Sequence, residues 1–156
     1  MMLLATVLAA SASCSLTDDG PERDASGALI EPGEVEALDL RLGDCFNGPG
    51  AEGGETVLTV MVVPCDQLHE FEVYHAFDLA DGDFPGMDVV QNLWISGCLD
   101  EFERFVGVPF DESDLDISGI FPTEETWNDL NDREVLCSVT AVSGEPRSGS
   151  ARGARL

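Results

Sequence analysis

Five cysteines and two histidines are the residues whose types and spacing invite chemistry. The cysteines stand at Cys14, Cys45, Cys65, Cys98 and Cys137, an odd count. Thiolates that bind zinc or run redox exchange usually come as Cys-x-x-Cys. No such pair occurs here, and the intervals run to tens of residues. The spacing therefore favours structural disulfides in an oxidising compartment, with one cysteine left over. His69-Glu70 followed by His75 superficially suggests a zinc-protease motif, but that motif sets its histidines four apart on a helix. Here they are six apart in a strand-like run, about 20 Å from end to end by strand rise, too far to share one metal. His69 follows Cys65 in a turn and reads as a structural hydrogen-bonding residue. His75 reads as a core or edge histidine. Cys65 beside His69 would be a thiol nucleophile only if free, and a disulfide removes it. Asp78, Asp81, Asp83 and Asp88 surround Gly82 and Gly86, but the Asp-x-Asp-x-Asp-Gly calcium spacing is absent, so they read as an acidic solvated turn. Ser-x-x-Lys, Gly-x-Ser-x-Gly and phosphate-loop motifs are missing as well. No residue is assigned a catalytic role, and no metal or cofactor is assigned.

Residues 3–10 form a short apolar run, and Ser11-Ala12-Ser13-Cys14 follows. That length falls short of the ~20 residues of a membrane-spanning helix. It reads as a signal peptide over 1–14. Its small-small-Cys ending resembles a bacterial lipoprotein box, in which the cysteine becomes the first mature residue and carries lipid. Ser11 stands where that pattern usually has Leu, and no basic residue precedes the run. An ordinary cleaved signal and a buried apolar segment are the alternatives. Lipid on Cys14 accounts for the odd cysteine and leaves four for two disulfides.

The 156 residues include 31 acidic and 7 basic side chains, all of the latter Arg, for a net charge of −24. Such a chain lacks the basic face that nucleic acid requires. It is equally unsuited to electrostatic docking on anionic lipid, so a membrane is reached by the lipid anchor only. The apolar content of 44% is that of a globular chain and not of a disordered acidic tail.

The elements follow from hydrophobic period. Residues 15–34 are rich in Ser, Asp, Gly, Pro and Glu and read as a flexible acidic tether. Leu38, Leu40 and Leu42 alternate with polar residues as a half-buried strand. Thr56 to Val63 is β-branched and nearly uncharged, a second strand stopped by Pro64. His69 to Leu79 alternates again, with Phe71, Val73, His75 and Phe77 on one face. Asp88 to Val106 is the one long helix, its stripe being Val90, Trp94, Cys98, Phe102 and Phe105. Asp88 with Gln91 offers an N-terminal capping box, and Gly107 and Pro109 end the helix. Trp94 and Trp127 read as core. Asp111 to Gly119 is acidic loop or edge strand, and Thr123 to Leu130 holds one short helical turn. Arg133 to Val142 is a closing strand. Residues 143–156 read as a disordered tail carrying Arg147, Arg152 and Arg155.

Two disulfides then suggest themselves. Cys45 and Cys65 each follow a strand, so one bond can staple the open end of a hairpin. Cys98 lies on the helix stripe and Cys137 on the apolar face of the last strand. Cys45–Cys65 with Cys98–Cys137 is the preferred pairing over the two other connectivities.

Several of these residues together resemble a family. Gly43-Asp44-Cys45-Phe46 follows a strand, and Val62-Val63-Pro64-Cys65-Asp66 leads to His69 and Glu72-Val73. A helix carries Cys98. Pro122-Thr123-Glu124-Glu125, Trp127, Asp132-Arg133-Glu134-Val135 and Cys137 complete the set. Over residues 38–139 the chain is similar to the septum-formation-related domain of actinobacterial exported proteins and lipoproteins. Asn131 departs from the Gly expected before Asp-Arg, and Asn is the next-best residue for a left-handed turn. The resemblance implies an extracytoplasmic, envelope-associated domain linked to cell division, with no implied reaction.

The expected fold is a single α+β domain over 35–142: a small antiparallel sheet of about four strands, one main helix packed on a face, and two disulfides. The expected role is a non-catalytic interaction or assembly module recognising an envelope protein or cell-wall component. The rival is a small envelope enzyme or metal-dependent factor using His69 and nearby carboxylates.

Overall fold

The computed structural model describes residues 20–48 and 59–156. Cys14, the apolar run before it and Thr56 to Leu58 of the second expected strand lie outside the described residues. The sheet is wholly antiparallel and has six strands: β1 Gly33–Glu36, β2 Cys45–Asn47, β3 Thr59–Val63, β4 Phe71–Asp78, β5 Leu115–Ile120 and β6 Glu134–Ala141, in the order β1-β3-β2-β4-β6-β5. Two helices join them, α1 Met87–Val106 and α2 Glu124–Asp129.

The sheet has two more strands than expected, for two reasons. First, Leu38 to Leu42 is not a strand. Ala37–Asp39 is a 3-10 turn, and only Leu40 of the three leucines is buried. Asp44 N–H closes on the Arg41 carbonyl across Gly43, whose φ of +90° is what a type II turn needs at its third position. The alternation is thus a turn flanked by two short strands, β1 before it and β2 after it. Second, Asp111 to Gly119 resolves into a 3-10 turn and then the edge strand β5.

Both faces of the sheet are apolar, and each has its own cover. On one face α1 brings Val90, Cys98, Phe102, Phe105 and Val106 against Tyr74, Leu115, Val135, Cys137 and Val139. The Tyr74 hydroxyl donates to the Cys98 carbonyl at 2.7 Å, and burial holds it well above the usual phenol range. On the other face Ala37 and Leu40 close over Phe46, Val60, Val62, Val73, Ile120 and Leu136, with Leu29 at the margin.

A bulge between Val73 and His75 in β4 serves both faces. It inserts Tyr74 and reverses the alternation, as bulges do. Phe71, Val73 and Ala76 therefore join one core while Tyr74 and Phe77 join the other. The single face expected for Phe71, Val73, His75 and Phe77 is split by this extra residue.

Helix α1 begins one residue earlier than expected, with Gly86 as its N-cap and no side-chain cap. Asp88 lies inside the first turn, where its charge favours the positive end of the helix. The capping box occurs on α2, where Thr123 and Thr126 bond each other's backbone N–H. Gly107 ends α1 in the left-handed conformation, as its position implies.

The chain ends are the largest correction. The described part of the expected tether is folded. Arg23 bridges to Leu29, and the turn between them is held by the Asp24 carboxylate accepting from Ser26 and Ala28. Residues 33–36 are β1 itself. The expected loose tail is a strap across the body. Arg147 bridges His69, Gly149 N–H donates to the Cys65 carbonyl, Ala151 is fully buried, and Gly153 N–H donates to the Phe105 carbonyl. Composition conceals both segments because their anchors are backbone bonds and one or two side chains, not an apolar period.

Removing residues 145–156 strips Arg147, Ser150 and Ala151 from the buried Glu72. Breaking a buried charge cluster costs on the order of 3–5 kcal/mol. The truncated chain should therefore lose that much stability in a denaturant titration, whereas an unchanged midpoint would show that the strap contributes nothing.

Candidate functional site

Both disulfides form as preferred, Cys45–Cys65 and Cys98–Cys137. Cys98–Cys137 ties α1 to β6 inside the first core. Cys45–Cys65 has a buried partner, Cys45, and a half-buried one, Cys65. It sits where the most polar buried cluster of the described residues also sits.

That cluster is assembled by register. Cys45 lies opposite Glu72 across β2 and β4, so their side chains share a face. Glu72 is 4% exposed, and the strap supplies its partners. Ser150 Oγ donates to Oε1 at 2.5 Å, Ala151 N–H donates to Oε2 at 2.6 Å, and Arg147 Nη1 stands 3.6 Å from Oε2. His69 and Arg147 exchange two backbone hydrogen bonds of 2.9 Å, so they form a directly opposed pair with side chains on one face. Nδ1 of His69 is 2.9 Å from the Gln67 carbonyl and so carries the proton. Its Nε2 is buried with no hydrogen-bond partner among the described residues, and the ring is 1% exposed. Burial holds the His69 pKa below its ordinary value, the Gln67 carbonyl opposing that shift.

The remaining motif residues are structural at close range. Asp44 is 4% exposed and takes a two-pronged bond from Arg23, at 2.6 and 2.8 Å, plus the Arg41 N–H at 2.9 Å. Gly43 N–H and the Asp44 carbonyl both bond Val73, so the Gly43-Asp44 turn is stitched to β4. Phe46 stacks on Phe71 with ring centres 5.0 Å apart. Pro64 ends β3 ahead of Cys65. Trp127 donates its indole N–H to the Gly82 carbonyl, and the Arg133 guanidinium lies 3.7 Å above its ring. Arg133 also donates to the Trp127 and Asp132 carbonyls and pairs with Asp81. Asn131 takes the left-handed conformation expected of a Gly replacement, with φ +54°. His75 is half-buried and stacks on Phe77, away from His69.

One feature escapes sequence reasoning. A groove of about 570 Å³ runs past the start of β4, the end of β6, edge strand β5 and the first half of α1. Phe71, Trp94, Ile117 and Phe121 supply its apolar wall, and Glu70 and Asp116 its charge. None of its lining residues is basic. Trp94, expected in the core, does pack on Phe121, but it is also half open to this groove. The signal for it is the position of Trp94 at the margin of the α1 stripe.

The lowered His69 pKa has a definite consequence. An unfolded histidine takes its proton near 6.5, the folded one only at lower pH. Between those two values the unfolded chain binds more protons, so the fold loses stability as pH falls from 6.5. The loss reaches up to about 1.4 kcal/mol per pH unit within that window. Thermal melts between pH 7 and 5 should show a flatter pH profile for His69→Gln than for the parent. Parallel profiles would mean that His69 contributes no such term.

The family model for septum formation matches residues 42–154, most of the chain and all of β2 to β6. No curated protein and no solved structure matches it. The matched span takes in the Gly43-Asp44-Cys45-Phe46 turn, the His69–Glu72 cluster, the Trp127–Arg133 stack and the carboxy-terminal strap, and the chain belongs to the septum-formation family.

Proposed function

We propose that this chain is a non-catalytic, extracytoplasmic interaction domain that serves septum formation by binding an envelope partner through the groove beside Trp94. The partner is an envelope protein or a cell-wall component. The carrying observation is the contrast between two places. The histidine–carboxylate cluster that an enzyme would use is closed over by the strap, with His69 1% exposed and the Glu72 carboxylate already bonded. The groove is open, of small-ligand size, and mixes aromatic wall with carboxylates, as recognition sites do. Two disulfides and the family membership are consistent with an extracytoplasmic location. No helix among the described residues is long and apolar enough to cross a membrane. Lipid on Cys14 is the proposed means of attachment.

Two measurements test this reading. Affinity capture from envelope extracts with the full chain should retain a partner that Asp116→Lys and Val142→Lys each weaken by about tenfold or more, equivalent to ~1.4 kcal/mol. Both side chains are exposed groove residues, so thermal melts of the variants should match the parent. Equal capture by parent and variants removes the groove from the mechanism. Mass spectrometry of the membrane fraction should find Cys14 as a lipid-modified first residue, and an unmodified Cys14 peptide defeats the anchor.

A further inference from the structure

We infer that Cys45, Cys65 and Glu72 form a thiol-switched metal site, closed as long as the disulfide stands and able to bind one zinc ion once it is reduced. The absence of Cys-x-x-Cys argues against zinc only for ligands supplied by one loop. Here the sheet brings them together from three strands or strand ends. Cys45 is opposite Glu72 across β2 and β4 and opposite Val63 across β2 and β3, and Cys65 lies two residues beyond Val63. The two sulfurs and a Glu72 carboxylate oxygen all lie within 4.8 Å of one another. A tetrahedral zinc with Zn–S of about 2.3 Å and Zn–O of about 2.1 Å holds such atoms roughly 3.6–3.8 Å apart. The oxygen therefore lies within about 1.2 Å of the required separation, and the sulfurs must separate from bonding distance.

In the same cluster, His69 Nε2 is buried with no hydrogen-bond partner among the described residues, and Arg147, directly opposed to His69, stands as the ion-pair partner of Glu72 at 3.6 Å. The second disulfide offers no comparable set, since the Cys45, Cys65 and Glu72 group is the one such cluster among the described residues.

The chemistry balances with a phosphine as reductant. The S–S bond breaks, phosphorus gives up two electrons and takes an oxygen from water, and each sulfur gains one electron and one proton. Zinc then replaces the two thiol protons, which leave to solvent, and forms two Zn–S bonds and one Zn–O bond. Re-oxidation by a small-molecule disulfide reverses the exchange and expels the ion.

The test uses the full chain with Cys14→Ser, so that only the four body cysteines remain. After anaerobic phosphine reduction it is titrated with cobalt as an optical reporter, and zinc is then used to displace the cobalt. The expected result is one equivalent bound, with thiolate-to-cobalt charge transfer from two sulfurs, and no binding by the oxidised protein. Cys65→Ser should abolish the signal. Glu72→Gln should weaken zinc at least about tenfold while keeping the sulfur bands. No binding by reduced protein, whether or not it stays folded, overturns the site. So does binding that Cys65→Ser leaves intact, or affinity that Glu72→Gln leaves unchanged, because an unfolded chain would take metal through its cysteines without help from Glu72.

Discussion

The central strands of this sheet are apolar on both faces, and that single constraint dictates most of what surrounds them. A strand with one greasy face needs one cover. Here β4 and β6 feed two cores, through Val73 and Leu136 on one side and Tyr74, Val135, Cys137 and Val139 on the other. The bulge at Tyr74 shifts the alternation of β4, so that Ala76 follows Val73 into one core and Phe77 follows Tyr74 into the other. Two covers are then required. The amphipathic α1 supplies one, and Cys98–Cys137 fixes it there. No second long helix exists among the described residues, so the other cover is improvised from the short segment that precedes β2, through Leu29, Ala37 and Leu40.

Such a cover has little apolar area of its own, and the Arg23–Asp44 pair secures it; other guanidinium groups do the same for the carboxy-terminal strap and the helix side. Arg23 from the amino-terminal segment locks onto Asp44, and Arg147 from the carboxy-terminal strap stands over Glu72. Arg133 lies on Trp127, and Arg152 on Phe105. The side chains of Arg23, Arg133 and Arg147 are only 11, 13 and 18% exposed. Three of the seven cations face inward, two of them beside the buried carboxylates of Asp44 and Glu72, so the surface stays about as acidic as the net charge of −24. A partner approaching from outside meets carboxylates with few guanidinium groups between them. Self-repulsion of that surface weakens the compact state, which gives two disulfides a physical reason.

What the sequence disclosed and what it concealed divide along the same line. Elements made by a period were legible: α1 by its stripe, β3 by its β-branched run, β6 by its alternation, and Cys98–Cys137 by where α1 and β6 place it; Cys45–Cys65 forms as preferred although Cys45 opens β2 instead of following a strand over Leu38 to Leu42. Asn131 was legible too, since a left-handed turn restricts residue choice. Elements made by tertiary partners were not. Arg23 and Arg147 sit in Gly-, Ser- and Pro-rich stretches that read as loose, and nothing local says that Asp44 or Glu72 awaits them. Leu38, Leu40 and Leu42 keep a perfect alternation and still form a turn, because Gly43 and Asp44 set the backbone there. A bulge leaves no mark on composition, so the two-face behaviour of β4 was hidden.

The family motif residues are engaged in internal contacts. Gly43 turns the chain, Asp44 clamps Arg23, Phe46 stacks on Phe71, His69 pairs with Arg147, and Trp127 carries Arg133. Each makes an internal contact that would be needed whatever the protein binds. A resemblance carried by such residues identifies the scaffold and leaves the partner open. In the proposed reading specificity comes from side chains with free surface, which the groove offers in Glu70, Asp116 and Trp94. With the strap docked, His69 and Glu72 are buried and internally bonded, and the proposed recognition falls to the groove.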